Sequence, residues 1–221
     1  AYPADFILTF YLLAALFISV LLPGLIRKEK VAVRNIVIAH LLLALFFLLL
    51  SAPAILSFRE SLPLQERGAG ASYEQAMSNS LHPLLLSSFV NPLSVWKMPG
   101  MEMTDPLERN SWIGITAFLF IIAGFMTRQQ NKLLLFSKWS ILIFLLFSFG
   151  QWGGLRVIAY YVLPLMNSFR HPANAKMFTL FFCCILAAFS FNGMIKGKPD
   201  SRLLKKAWQG SFFLVMALLV I

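Results

Sequence analysis

Three potential cations, Arg170, His171 and Lys176, stand directly before an apolar run in "LPLMNSFRHPANAKMFTLFFCC". Arginine offers a planar fork of donors that matches phosphate oxygens, and lysine adds a compact positive charge. The chemistry this trio could do is to hold an anionic phosphate. A plainer role is also open: long cationic side chains snorkel to ordinary lipid headgroups and anchor a helix. Arg59 and Arg67 bracket "ESLPLQE" and could complete an anion pocket with Arg170. Solvated pairs with Glu60 and Glu66 are the alternative, and exposed pairs contribute little.

Two carboxylates could serve as a general base. Glu74 opens a candidate surface helix, where negative charge also complements the helix dipole. Asp5 stands at the outer end of the first apolar segment, where it could equally cap that segment. Sugar transfer needs a carboxylate to deprotonate the acceptor, so both are kept as remote candidates and no catalytic residue is assigned. Met98, Met101 and Met103 in "MPGMEM" suit Cu(I) by softness, but no His or Cys stands near them. His40 and His82 are isolated, so no metal ligand set is assigned. The sequence has no phosphate loop, nucleophile elbow or CxxC motif. The adjacent Cys183 and Cys184 lie in an apolar run and read as small buried side chains.

Composition says what must position these groups. Of 221 residues 59% are hydrophobic and only 13% charged, against roughly 45–50% apolar and about 25% charged in soluble domains. An all-α, polytopic membrane bundle is expected. The formal charge of +10 does not indicate nucleic acid, because the basic residues fall in short clusters between apolar segments. Six segments emerge: Phe6–Ile26, Ile36–Phe58, Ser111–Met126, Leu133–Gly150, Met177–Met194, and a sixth that begins near Ala207 and is cut short. Pro53 could kink the second. The chain reads as one transmembrane domain over 1–221 and as an internal piece of a longer protein.

Charge sets the expected threading. Arg27, Lys28, Lys30 and Arg34 follow the first segment; Arg128, Lys132 and Lys138 surround the third-to-fourth turn. Lys196, Lys198, Arg202, Lys205 and Lys206 follow the fifth. By the positive-inside rule these three loops face the cytoplasm, which puts residues 59–110 and 151–176 outside. The first of these outer loops has six acids against four bases. Within it Ser72 signals a helix start, Pro83 breaks an apolar stretch, and "NPLSVWKMPG" carries turn residues with Trp96 suited to headgroup depth. "QWGGLRVIAYYVLPLMNSF" is expected to be a second interfacial element, since Gly153 and Gly154 break the preceding segment. The central segments lack acids, which argues against a proton-coupled transporter.

The ordered set "YPADFILTFYLL", "LSAPAILSFRESLPLQERG", "SYEQAMSNSLHPLLLSSFVNPL" and "LPLMNSFRHPANAKMFTLFF" resembles the YfhO-like family of bacterial multi-pass membrane proteins, which is related to the GT-C class of glycosyltransferases. The likeness spans most of residues 1–195 and includes Pro164, Arg170 and Pro172. It implies a helical bundle in the bacterial cytoplasmic (inner) membrane with an outward-facing active site. Such a protein would transfer a sugar from a polyprenyl-phosphate donor to a cell-envelope acceptor. The class carries its best-supported catalytic carboxylate in an outer loop upstream of these residues. The base, and any divalent metal, would therefore lie outside this piece; the cofactor stays unknown. Expected partners are the lipid-linked sugar and membrane lipids. A transporter or flippase for a lipid-linked or polymer precursor, or a non-catalytic subunit, would use the same cations.

The threading is testable. A cysteine introduced at Asn174 should react with a membrane-impermeant thiol reagent added outside the cell. Labelling from the inside alone would remove the outward pocket.

Overall fold

Inside lipid a backbone amide finds its partners within a helix or a closed barrel. The computed structural model describes residues 3–61, 71–96, 104–127 and 131–196, together with 205–206, 209–210, 212–213 and 216. Among these residues the chain is all-helical, with no strand. Three helical stretches are long and apolar enough to cross a membrane: Asp5–Ile26, Lys30–Ser57 and Pro172–Ile195.

The chain divides into two units. The first comprises Ala1–Ala71 with Asn167–Phe169. Its helices α1 (Pro3–Ile26) and α2 (Lys30–Ser61) run antiparallel, as the pairs Phe6–Phe47 and Phe17–His40 require. Both helices continue through an internal proline, Pro23 and Pro53. The connection is tight. Lys28 adopts a left-handed conformation, Glu29 N donates to Gly24 O at 3.0 Å, and a Cβ on Gly24 would stand 3.1 Å from Val33 Cγ2. Only 6% of each apolar window in α1 and α2 is buried. The long row of leucines in α2, Leu41 to Leu50, therefore faces outward, as lipid contact requires. Ala71 N donates to Asn167 O at 2.7 Å within the same unit.

The second unit comprises Ser72–Met166 with Arg170–Ile221. Its short helix α3 (Tyr73–Met77) is followed by α4 (Ile115–Met126), α5 (Lys132–Ser148), α6 (Leu155–Val162) and α7 (Lys176–Ile195). Phe144 stacks on Phe178 and Phe182, while Phe136 meets Phe182 edge-on, so α5 and α7 are antiparallel. Buried Leu186, Phe182 and Cys183 of α7 face this seam and that with α4. Lys138 of α5 donates to Phe125 O at 3.1 Å and Thr127 O at 2.8 Å, satisfying carbonyls at the end of α4. The start of α4, the end of α5 and the start of α7 lie together at one end. Lys132 and Lys196 mark the other.

The apolar segments read from the sequence correspond to α1, α2, α4, α5 and α7, and the sixth falls largely outside the described residues. α4 has 12 residues and α5 has 17, so at 1.5 Å per residue they reach roughly 18 and 26 Å. Both fall short of the roughly 20 residues a crossing needs. Of the two free cysteines, Cys183 is buried and Cys184 exposed.

The α4–α7 seam depends on a missing side chain. A Cβ on Gly124 would stand 2.6 Å from both Leu186 Cγ and Ser190 Oγ. Gly124→Ala is expected to destabilise the second unit by about 1–3 kcal/mol through overpacking. A lowered melting temperature of the purified protein in detergent would register it; an unchanged one would show that the two helices are not in this contact.

Candidate functional site

The described part of residues 72–111 folds into a shelf over the common end of α4, α5 and α7. Its local structure follows from short polar residues placed before turns. Ser72 starts α3 through a reciprocal cap: Gln75 N donates to Ser72 Oγ at 3.3 Å, and Ser72 N donates to Gln75 Oε1 at 3.2 Å. The 3-10 turns Pro83–Phe89, Pro92–Trp96 and Pro106–Glu108 each begin with proline, whose fixed φ suits a first helical position. The residue before each proline accepts a backbone N–H: His82 Nδ1 from Leu84, Asn91 Oδ1 from Leu93, and Asp105 Oδ1 from Leu107.

Apolar and backbone contacts dock this shelf. Leu81, Leu85, Val95 and Ala173 form a buried cluster against Leu145 and Phe149, and Leu81 N donates to Ser148 O at 2.9 Å. Gly150, with φ +57°, permits the approach, because a Cβ there would fall 1.8 Å from Ser80 Oγ. Thr104 is fully buried; its hydroxyl donates to Ser80 O at 2.5 Å and accepts from His82 N at 3.3 Å. Arg109 Nε donates to Thr104 O at 2.8 Å, and Ser111 N donates to Ser88 Oγ at 3.0 Å.

A polar cluster joins the shelf to the start of α7. Asn79 Nδ2 lies 2.9 Å from Glu108 Oε2 and 2.8 Å from His171 Nδ1. Asn79 Oδ1 accepts the backbone N–H of Asp105. Two backbone bonds run alongside, His171 N to Ser78 O at 3.2 Å and Ala173 N to Asn79 O at 3.3 Å. Asn79 and His171 are both left-handed, at φ 57° and 63°, a region in which Asn and His are enriched among non-glycine residues. Lys176 is buried, and its ammonium donates to the backbone carbonyl of Glu108 and, at 2.9 Å, to that of Asn110.

The expected site residues are thus placed as follows. His171 and Lys176 come together around Asn79 and Glu108, and half-buried Arg170 directly precedes them. Lys176 spends its donors on carbonyls of the shelf. Glu74 is exposed in the first turn of α3. Asp5, in the first turn of α1, and exposed Arg59, in the last turn of α2, belong to the first unit. Arg67 and the methionines 98, 101 and 103 lie outside the described residues. No group of three or more His, Cys, Asp or Glu side chains is disposed to hold a metal among the described residues.

Sequence reasoning did not single out Asn79, Thr104 or Arg156, and counted Glu108 only as loop charge. Arg156 of α6 is fully buried, its guanidinium carbon 5.5 Å from the centroid of the Phe147 ring, a distance at which a cation is attracted to an aromatic face. A lone Arg inside "GGLRVIAYYV" was the available signal. Beside it Tyr160 meets Tyr73 and Tyr161 edge-on, at 5.9 and 5.0 Å between ring centroids. No protein-family model matches the chain, and neither curated proteins nor solved structures give a match.

Lys176→Met should leave two loop carbonyls without their ammonium donor while keeping much of the side-chain bulk. An unsatisfied buried polar group costs about 1–3 kcal/mol. The variant is therefore expected to melt at lower temperature and to be cut faster by protease within residues 104–111. Wild-type proteolysis would show that Lys176 does not hold the shelf.

Proposed function

We propose that this chain is part of an integral-membrane glycosyltransferase of GT-C-like type, which moves a sugar from a polyprenyl-phosphate donor to an acceptor on the outer face of the bacterial cytoplasmic membrane. The observation that carries the reading is the assembly of the shelf and residues 170–176 at a single end of the second unit. That end holds Arg170, His171 and Lys176, while Lys132 and Lys196 mark the opposite end. The alternating charge pattern assigns the Lys132 end to the cytoplasm, so the polar end would face outward. The ordered likeness to the YfhO-like family points the same way.

In this reading Arg170 contacts the lipid-linked phosphate, with His171 beside it. Lys176 acts from behind, holding the loop that shapes the pocket. Positive donors fixed in a water-poor site stabilise the charge that develops on the leaving phosphate, and they need no reorganisation when it forms. The base that activates the acceptor is not assigned; Asp5 and Glu74 are the carboxylates to test. A six-crossing arrangement, with α4, α5 and the segment after residue 206 completing the bundle, belongs to the same proposal.

Sugar transfer measured in membranes carrying the protein tests the role of Arg170. Arg170→Ala is expected to lower the rate about 100-fold, the scale on which one stabilising donor acts, with Arg170→Lys intermediate. Full activity in Arg170→Ala, at equal protein level, would end this assignment.

A further inference from the structure

Four cations, Arg27, Lys28, Lys30 and Arg34, crowd onto the link between α1 and α2, against the single acid Glu29. The link is too tight to spread them. Arg27 N donates to Pro23 O and Lys28 N to Leu25 O, both at 3.1 Å, and Lys30 N donates to the carbonyl of left-handed Lys28 at 3.0 Å. Lys30 and Arg34 stand four positions apart on α2 and so share a face. The two helices touch just below the link, where a Cβ on Gly24 would meet Val33 Cγ2, and helices in such contact hold their axes about 8–10 Å apart. The charges therefore converge. All four side chains are exposed, and among the described residues neither they nor Glu29 form a side-chain hydrogen bond or an ion pair. Three cations of the second unit do otherwise: Arg109, Lys138 and Lys176 each donate to backbone carbonyls.

We infer that the α1–α2 link is a binding site for an anionic phospholipid, with Arg27, Lys28, Lys30 and Arg34 around its phosphate and Ile26 and Val31 against its acyl chains. Like charges brought together without an internal counter-charge repel one another, and an external anion relieves the repulsion. Depth selects which anion. α1 and α2 are each long and apolar enough to cross a bilayer, so a link between them lies where lipid phosphates lie, and its long side chains reach that level by snorkelling. The two arginines add planar forks that can take a pair of oxygens from one phosphate. Ile26 and Val31, 72% and 65% exposed, stand directly on the hydrocarbon side of the charges. A free phosphate would answer the cations alone; a phospholipid answers both halves of the site. Charge bias as a topology signal needs only a count of cations. A site also needs them close together, unengaged and beside an apolar contact, which is the arrangement here. Neither the sidedness of the membrane nor the transfer reaction enters this inference.

Native mass spectrometry of the purified full chain in non-ionic detergent tests the site. The chain is titrated with phosphatidylglycerol or with phosphatidylcholine, which carries the same phosphate but no net charge. It should retain a single phosphatidylglycerol at concentrations that leave phosphatidylcholine unbound; equal retention of the two would overturn the inference. Each cation at a lipid surface contributes about 5-fold in affinity, from roughly 1 kcal/mol, so Lys30→Gln combined with Arg34→Gln should weaken the binding about 25-fold. Lys205→Gln combined with Lys206→Gln removes the same charge elsewhere and should leave the binding unchanged. An equal loss in that second pair would reduce the site to diffuse attraction and likewise overturn it. Inorganic phosphate in excess should not displace the lipid; displacement would show a site for the free anion instead. Should the first pair fail to fold, the wild-type preference between the two lipids and the second pair still decide.

Discussion

A buried ammonium must be surrounded by acceptors, because an uncompensated charge in an apolar setting is too costly to keep. Lys176 meets this requirement with the carbonyls of Glu108 and Asn110, and much of the second unit depends on it. The bond ties the first residue of α7 to a loop 66 positions upstream or more. It thereby fixes where Glu108 stands, and Glu108 in turn shares the amide of Asn79 with His171. The packing under the shelf, Leu81, Leu85 and Val95 on Leu145 and Phe149, supplies attraction without direction. The ammonium and the amide supply direction.

The same economy of polar groups separates the two units. In the apolar stretches of α1 and α2 polar side chains are few; Thr9, Ser19 and His40 bond to Asp5 O, Leu16 O and Ile36 O, and Ser51 is buried. The outward leucines of these helices need only an apolar solvent. The second unit instead buries Ser137, Ser140, Ser148, Ser190 and Thr127, of which Ser137, Ser148, Ser190 and Thr127 return their hydroxyls to a carbonyl three or four residues back. Small polar residues of this kind let helices approach closely, and Gly124 against Ser190 is the clearest instance here.

What could be read in the sequence follows the range of the forces involved. Hydropathy acts over a contiguous run, so α1, α2, α5 and α7 were legible to within a few residues at most of their ends. Capping acts over three residues, so Ser72 could be recognised as a helix start. The break at Gly153 and Gly154 was equally local, and the left-handed Gly154 sits directly before α6. Asn79 and His171 are 92 positions apart, and nothing in either neighbourhood signals the other. For Lys176 the residue type and its place beside an apolar run were legible, but its two carbonyl partners were not, since a backbone oxygen leaves no trace in a side-chain pattern. Arg156 stood in plain view within an interfacial stretch, yet its burial depends on how α6 folds back onto α5.

The shortness of α4 has a consequence for the surrounding lipid. α4 and α7 leave the shelf in the same direction, but α4 stops after 12 residues and α7 after 20. Gly124 packs against Leu186 and Ser190, so α4 ends about five residues short of α7, or roughly 8 Å at 1.5 Å per residue. With both helices in a bilayer, the last carbonyls of α4 would sit recessed below the headgroups, where bulk water is scarce. Lys138 and the Thr127 hydroxyl occupy that spot. They do there what hydration does at an ordinary helix end, and acyl chains bordering that flank would have to dip inward to meet it.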